Sequence, residues 1–176
     1  GATLTPINYK MKLLCFGDSI SQGYDAAFAS KSYVNRITSH FDAYTVNQAI
    51  GGERFVPEIL LEDTEYKPDV VTVAYGTNDW RWNTAEELEN NCREFYGNIC
   101  SLYPDVPVFA ITPIWRYDWN TERNAVSFEE LKNLICRAVS GHANIHVVDG
   151  MQLVPHKAEY FGDLALHPSD EGFAYY

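Results

Sequence analysis

The chain has 176 residues, room for one domain with a real core. Its apolar content of 46% and aromatic content of 14% exclude a disordered polypeptide. A net charge of −11 disfavours nucleic-acid phosphates and anionic membrane surfaces as partners, and no apolar run is long enough to span a membrane.

Residues 1–10, GATLTPINYK, are polar and carry a proline, so they read as a linker or an appended remnant ahead of a domain at 11–176. From Lys12 strands and helices alternate. Residues 12–16 (KLLCF) read as a buried strand and 32–41 as a helix. Residues 44–50 read as a second strand, with a short helix near 55–61. The continuous β-branched run at 69–75 (DVVTVAY) fits a strand covered on both faces. A helix over 84–103 follows; Thr84 and Glu87 form a capping box, and Leu88, Cys92, Phe95, Ile99 and Leu102 make one inward stripe. Residues 107–112 give a fourth strand. Ser127 and Glu130 cap another helix with a stripe of Leu131, Leu134, Ile135 and Ala138, and Gly141 suits its C′ position. Residues 144–149 give a fifth strand, and GFAYY ends the chain just where a further helix would start. Alternating strands and helices imply a parallel sheet between helical layers, because parallel neighbours need crossover connections.

Four cysteines, at 15, 92, 100 and 136, form no CxxC pair and no CxxC…H pattern, so no zinc site is expected. Cys15 reads as a small core residue. Free thiols fit a reducing compartment. With no signal peptide visible, the expected location is cytoplasmic.

Sites in such sheets gather beyond the carboxyl ends of the strands. Strand one runs into Gly17-Asp18-Ser19, strand two into Gly51-Gly52, and strand three into Gly76-Thr77-Asn78-Asp79; Asp163 and His167-Pro168 lie near the C-terminus. A serine hydroxyl is a poor nucleophile until a base takes its proton, and neutral histidine suits that task near pH 7. The tetrahedral intermediate needs N–H donors for its oxyanion, which the Ser19 and Gly52 backbones and the Asn78 amide supply. Asp163 would accept the second imidazole N–H and fix the tautomer. Asp18 reads as a cap for the following helix, Asp79 as structural support and Gly51 as a turn residue. His40, His142, His146 and His156 read as surface or packing residues. Trp80, Trp82, Trp115, Tyr117 and Trp119 either wall a substrate cleft or pack between loops and core. Arg54 and Arg116 flank the same loops and either bind a leaving group or sit in solvent. Of these, Trp80, Trp115 and Arg54 are the candidate substrate-binding residues.

Gly17-Asp18-Ser19, Asn47 with Gly52, Gly76-Thr77-Asn78-Asp79 and Asp163…His167-Pro168 together resemble the conserved blocks of the SGNH, or GDSL, hydrolases, in order and in placement after successive strands, over residues 12–172. The resemblance implies an α/β fold: a three-layer α/β/α sandwich on a five-stranded parallel, flavodoxin-like sheet. It implies a cofactor-free hydrolase with Ser19 as nucleophile, Gly52 and Asn78 as oxyanion donors and His167 as base; Gly52 is chosen because the family's glycine stands five residues after an Asn, here Asn47. It also implies a domain excised from a longer chain. Two departures stand out. The family's acid lies three residues before the histidine, where this chain has Leu164, and Asp163 lies four before. Pro168 biases His167 away from helix, so the segment reads as a loop in which one extra residue bulges; the alternative is an imidazole leaning on a backbone carbonyl. The Gly17-x-Ser19-x-Ser21 string is also not the G-x-S-x-G elbow of α/β-hydrolases. The expected activity is hydrolysis of short-chain carboxylic esters, with O-acetylated carbohydrate one candidate substrate, through an acyl-enzyme. A thioesterase or lysophospholipase of the same family, and a catalytically silent carbohydrate-binding module, are the alternatives.

Overall fold

In the computed structural model, which describes residues 5, 7–60 and 65–176, five strands form one sheet: β1 (Met11–Gly17), β2 (Ala43–Asn47), β3 (Val70–Ala74), β4 (Val108–Ile111) and β5 (Ile145–Val148). Their order is β2-β1-β3-β4-β5 and every pairing is parallel. This is the flavodoxin-like order, whose topological switch point lies between β1 and β3. The paired registers bring Gly17 beside Ala74, so the two chain segments that leave β1 and β3 emerge together.

Side-chain alternation along β1 builds both layers. Leu14 and Phe16 join Val71 and Val73 against helices α4 (Ala85–Leu102) and α5 (Phe128–Val139). Leu13 and Cys15 face the opposite way, towards α2 (Tyr33–Phe41) and the short α6 (Gly172–Tyr175). Burial of each such aliphatic or phenyl side chain contributes about 1.5–3 kcal/mol. Burial also pushes the Cys15 thiol up to about 11, consistent with an inert core residue. All four cysteines are unpaired.

The helix starts follow the capping chemistry of the sequence. Ser32 caps α2, Thr84 and Glu87 close the capping box of α4, and Ser127 caps α5. Gly141, just past α5, has φ of +100°, a conformation that costs glycine nothing. The second strand ends at Asn47, three residues short of its expected end at 50. The Asn47 side chain there takes the Ala49 N–H and donates to the Ser21 carbonyl, while the Gln48 and Ile50 N–H groups still donate to the Cys15 and Gly17 carbonyls of β1. The expected helix over 55–61 is a single 3₁₀ turn, Pro57–Leu60; residue 61 lies outside the described residues. Two short helices unforeseen from periodicity, α1 (Ser19–Gln22) and α3 (Thr77–Trp82), begin directly at the ends of β1 and β3. At four and six residues they are too short to show a hydrophobic stripe.

Candidate active site

The site begins at the end of β1. A side chain on Gly17 would place its Cβ 2.0 Å from Ser21 Oγ, so only glycine lets the strand turn so tightly into α1. Asp18 is buried and its Oδ1 accepts the Ile20 N–H at 2.9 Å, capping α1 as the sequence led us to expect. Ser19 is thereby held as the first residue of that helix, half-buried, with its hydroxyl free to face across the sheet edge.

What it faces comes from the far end of the chain. Phe161 and Pro168 form an antiparallel bridge, the Gly162 N–H donates to the His167 carbonyl at 2.8 Å, and the Leu164 N–H donates to the Phe161 carbonyl. These bonds close residues 161–168 into a loop with His167 at its exit. His167 Nε2 lies 2.8 Å from Ser19 Oγ, and Nδ1 lies 2.8 Å from Asp163 Oδ2. The extra residue between acid and base is Leu164, exposed and left-handed with φ of +59°. A left-handed leucine is disfavoured, and it is offset here by Asp163 Oδ1, which collects the N–H groups of Ala165, Leu166 and His167. Partial burial works against ionisation of Asp163, yet those N–H groups and the imidazole win and hold its carboxyl below the usual carboxylate range. The imidazole therefore bonds a carboxylate and not a backbone carbonyl.

Of the donors expected for an oxyanion, besides the Ser19 N–H in α1, Gly52 lies in the turn after β2 and Asn78 at the start of α3. Residues 50–53 form a turn closed by the Glu53 N–H on the Ile50 carbonyl, and Gly52 supplies its left-handed position with φ of +80°. The conformational demand of this turn thus falls on Gly52, where we expected Gly51 to meet it. Gly51 lies closer to the serine: a Cβ there would come 3.8 Å from the Ser19 Cβ. Asn78, in the first turn of α3, donates both amide protons within the protein, to Asp18 Oδ2 at 3.2 Å and to the Glu53 carbonyl at 3.0 Å.

Beneath these groups lie two buried carboxyls. Burial drives both Asp18 and Asp79 up to about 7, against the pull of the Ile20 and Phe55 N–H groups respectively. Asp79 supports the site as expected, with Oδ1 accepting from the Phe55 backbone and the Asn83 amide, but its buried Oδ2 has no hydrogen-bond partner among the described residues. Because the folded state raises these pKa values from 3.8, it binds more protons than the unfolded chain between about pH 4 and 7. Their contribution to stability is therefore full below about pH 4 and is lost as pH rises to 7, by about 1–4 kcal/mol for each group. We expect Asp79→Asn to escape part of that loss. In thermal scans the Tm of the variant minus that of wild type should grow from pH 4 to pH 8; a difference independent of pH would show that Asp79 does not titrate in this range.

The candidate substrate residues fare differently. Trp80 does not wall a cleft. It is fully buried, donates its indole N–H to the Val126 carbonyl, packs edge-on to Phe128, and has the Arg116 and Arg123 guanidinium groups about 5.0 and 5.1 Å from its ring centroid. Arg116 is likewise internal, not solvated: its Nη1 donates to the Thr77 carbonyl and hydroxyl. Trp115 is buried against Phe161 and stacked on His156, where it supports the His167 loop from below. Arg54 is exposed and tied to Asn83 Oδ1. Trp82 and Tyr117 are the aromatics of this group that do stand in solvent. Sequence reading missed Tyr24, whose exposed ring lies 4.7 Å from the His167 ring, and its neighbour Asp25. No spacing marks either; only the left-handed Gly23 that ends α1 signals a turn towards the site.

The fold closely matches several solved structures. A GDSL-like lipase from Bacteroides ovatus superposes with a TM-score of 0.79 at 20% identity, over 95% of this chain and 50% of that one. A carbohydrate esterase family 2 enzyme with its carbohydrate-binding domain, from Corynascus thermopiles (Myceliophthora fergusii), gives 0.77 at 21%, over 98% and 65%. A family two carbohydrate esterase from Clostridium thermocellum, in complex with cellohexaose, gives 0.74 at 18%, over 98% and 62%. The chain thus spans about half the length of the Bacteroides protein and less than two thirds of either esterase. No match was found among curated protein sequences. A family profile matches residues 15–175, nearly everything from β1 onward, and by that match the chain belongs to the GDSL-like lipase/acylhydrolase family.

Proposed function

We propose that this protein is a serine ester hydrolase that works through an acyl-enzyme. One observation carries the reading: Ser19 Oγ, both ring nitrogens of His167 and Asp163 Oδ2 form an unbroken chain of 2.8 Å contacts, assembled from segments 148 residues apart. In this reading Ser19 attacks the ester carbonyl while His167 Nε2 takes its proton. Asp163, held ionised by three backbone N–H groups, stabilises the imidazolium that results. The tetrahedral oxyanion is met by the N–H groups of Ser19 and Gly52 and the amide of Asn78. His167 then protonates the departing alkoxide, activates a water and returns a proton to Ser19 as the acid product leaves.

The substrate class we favour is a short-chain ester, with O-acetyl groups on carbohydrate foremost. Support comes from family membership and from the two carbohydrate esterases that share the fold at high coverage. A fluorophosphonate probe tests the chemistry: Ser19 should be labelled in the wild type and not in His167→Ala. An unlabelled wild type would instead favour a silent binding module. An ester panel of increasing acyl length, including acetylated sugars and thioesters, tests the substrate; the rate should peak at acetate, and a maximum at long acyl chains or thioesters would overturn that choice. Among the described residues no helix is long and apolar enough to cross a membrane.

A further inference from the structure

Asp25 has no role in the scheme above, yet it is carried to the base. Its carboxylate, that of Asp163 and a ring nitrogen of His167 bring one atom each within 4.8 Å of one another. It makes no hydrogen bond or ion pair with another described residue. The segment that bears it is fastened on both sides: the Tyr24 N–H donates to the Ser19 carbonyl, Ala26 to Gly23, and Ala27 to Asp170 Oδ1. Asp25 itself is left-handed, with φ of +67°. It fits against the His167 loop because residue 162 is glycine; a Cβ at Gly162 would come 2.7 Å from the Asp25 Cβ. The groups facing the imidazole are thus Ser19 on Nε2, Asp163 on Nδ1, the Tyr24 ring against it, and Asp25.

Resting on the assignment of His167 as the base, we propose that Asp25 is a positioning residue, a second carboxylate that acts through His167 by stabilising the ring as it takes up the Ser19 proton. An anion at this distance interacts with a positive imidazolium and hardly with a neutral ring, so its effect belongs to the transition state and not to substrate binding. For a site this open to water, Coulomb attraction across roughly 5 Å is worth about fourfold in rate.

Asp25→Asn is the clean test, because asparagine removes the charge while tolerating the left-handed backbone. With p-nitrophenyl acetate at low ionic strength, kcat should fall about fourfold with KM unchanged, in a variant whose Tm matches wild type. In 1 M NaCl, where the screening length is about 3 Å, the ratio of wild-type to variant kcat should approach one. Equal kcat at low salt, a loss that persists undiminished in 1 M NaCl, or a change confined to KM would each overturn the proposal. His167→Ala, run alongside, separates the two claims. If that variant keeps wild-type turnover, the assignment of the base has failed; if it is inactive while Asp25→Asn is unaffected, only the role of Asp25 has.

Discussion

Ser19→Ala should lower kcat for ester hydrolysis by about four to six orders of magnitude while leaving the fold intact. The size follows from the role proposed for the hydroxyl. Without Ser19 Oγ there is no covalent intermediate, and His167 and Asp163 can only assist direct attack by water, so removing the nucleophile forfeits the action of the whole set. The small structural cost follows from position. Ser19 is half-buried, and among the described residues its hydroxyl bonds only His167, so the loss is one hydrogen bond of about 1 kcal/mol. For a chain of this size that shifts Tm by about 2–4 °C. The decisive measurement pairs turnover with a thermal scan. A Ser19→Ala protein that hydrolyses p-nitrophenyl acetate at the wild-type rate would remove Ser19 from the chemistry. One that is inactive only because its Tm has collapsed would leave the assignment without support.

The arrangement that gives Ser19 its setting was legible where local chemistry decides it. The β-branched run at 70–74 suits a strand covered on both faces, and Thr84 with Glu87 satisfies helix N–H groups wherever the helix packs, so these elements fall within a residue or two of where they were expected. The motifs after β1 and β3 could be read as partners because the topology of parallel sheets brings successive strand ends to one edge. The sequence also indicated one surplus residue between Asp163 and His167; which residue bulges, Leu164, depends on three N–H groups converging on one carboxylate oxygen.

What could not be read was the direction of loop side chains. Trp80 and Trp82 are two residues apart in one short helix, and one is fully buried while the other is exposed. A helix of six residues has no stripe long enough to tell them apart. Trp80 is also satisfied by a carbonyl 46 residues away, and Arg116 is buried by bonds to Thr77, 39 residues away. Asp170, 143 residues from Ala27, accepts its N–H and helps hold Tyr24 and Asp25 beside His167. Contacts of that range leave no periodic trace in the chain.

The same long-range bonding shapes the second large effect, expected at Asn78. Asn78→Ala should reduce kcat by about 10²–10³, the loss typical of one oxyanion donor. Both Asn78 amide protons are engaged within the protein, on Asp18 Oδ2 and the Glu53 carbonyl. To meet an oxyanion the amide must therefore relax one of those bonds, exchanging a neutral acceptor, or a buried carboxyl whose pKa has been pushed up to about 7, for a full negative charge. That exchange is favourable only when the charge has formed, so in the proposed mechanism the amide would discriminate transition state from bound ester, and the loss should appear in kcat more than in KM. The substitution also leaves Asp18 Oδ2 without its amide donor in a buried setting, which should cost about 1–3 kcal/mol of stability. Asn78→Asp separates the two roles. It keeps the shape of the side chain, replaces the amide donor by a carboxyl and sets that carboxyl beside Asp18, so above the pH at which both ionise its kcat should fall below that of Asn78→Ala. If Asn78→Ala loses stability but retains wild-type kcat, Asn78 braces Asp18 and the Glu53 turn, and the oxyanion is held by backbone N–H groups alone.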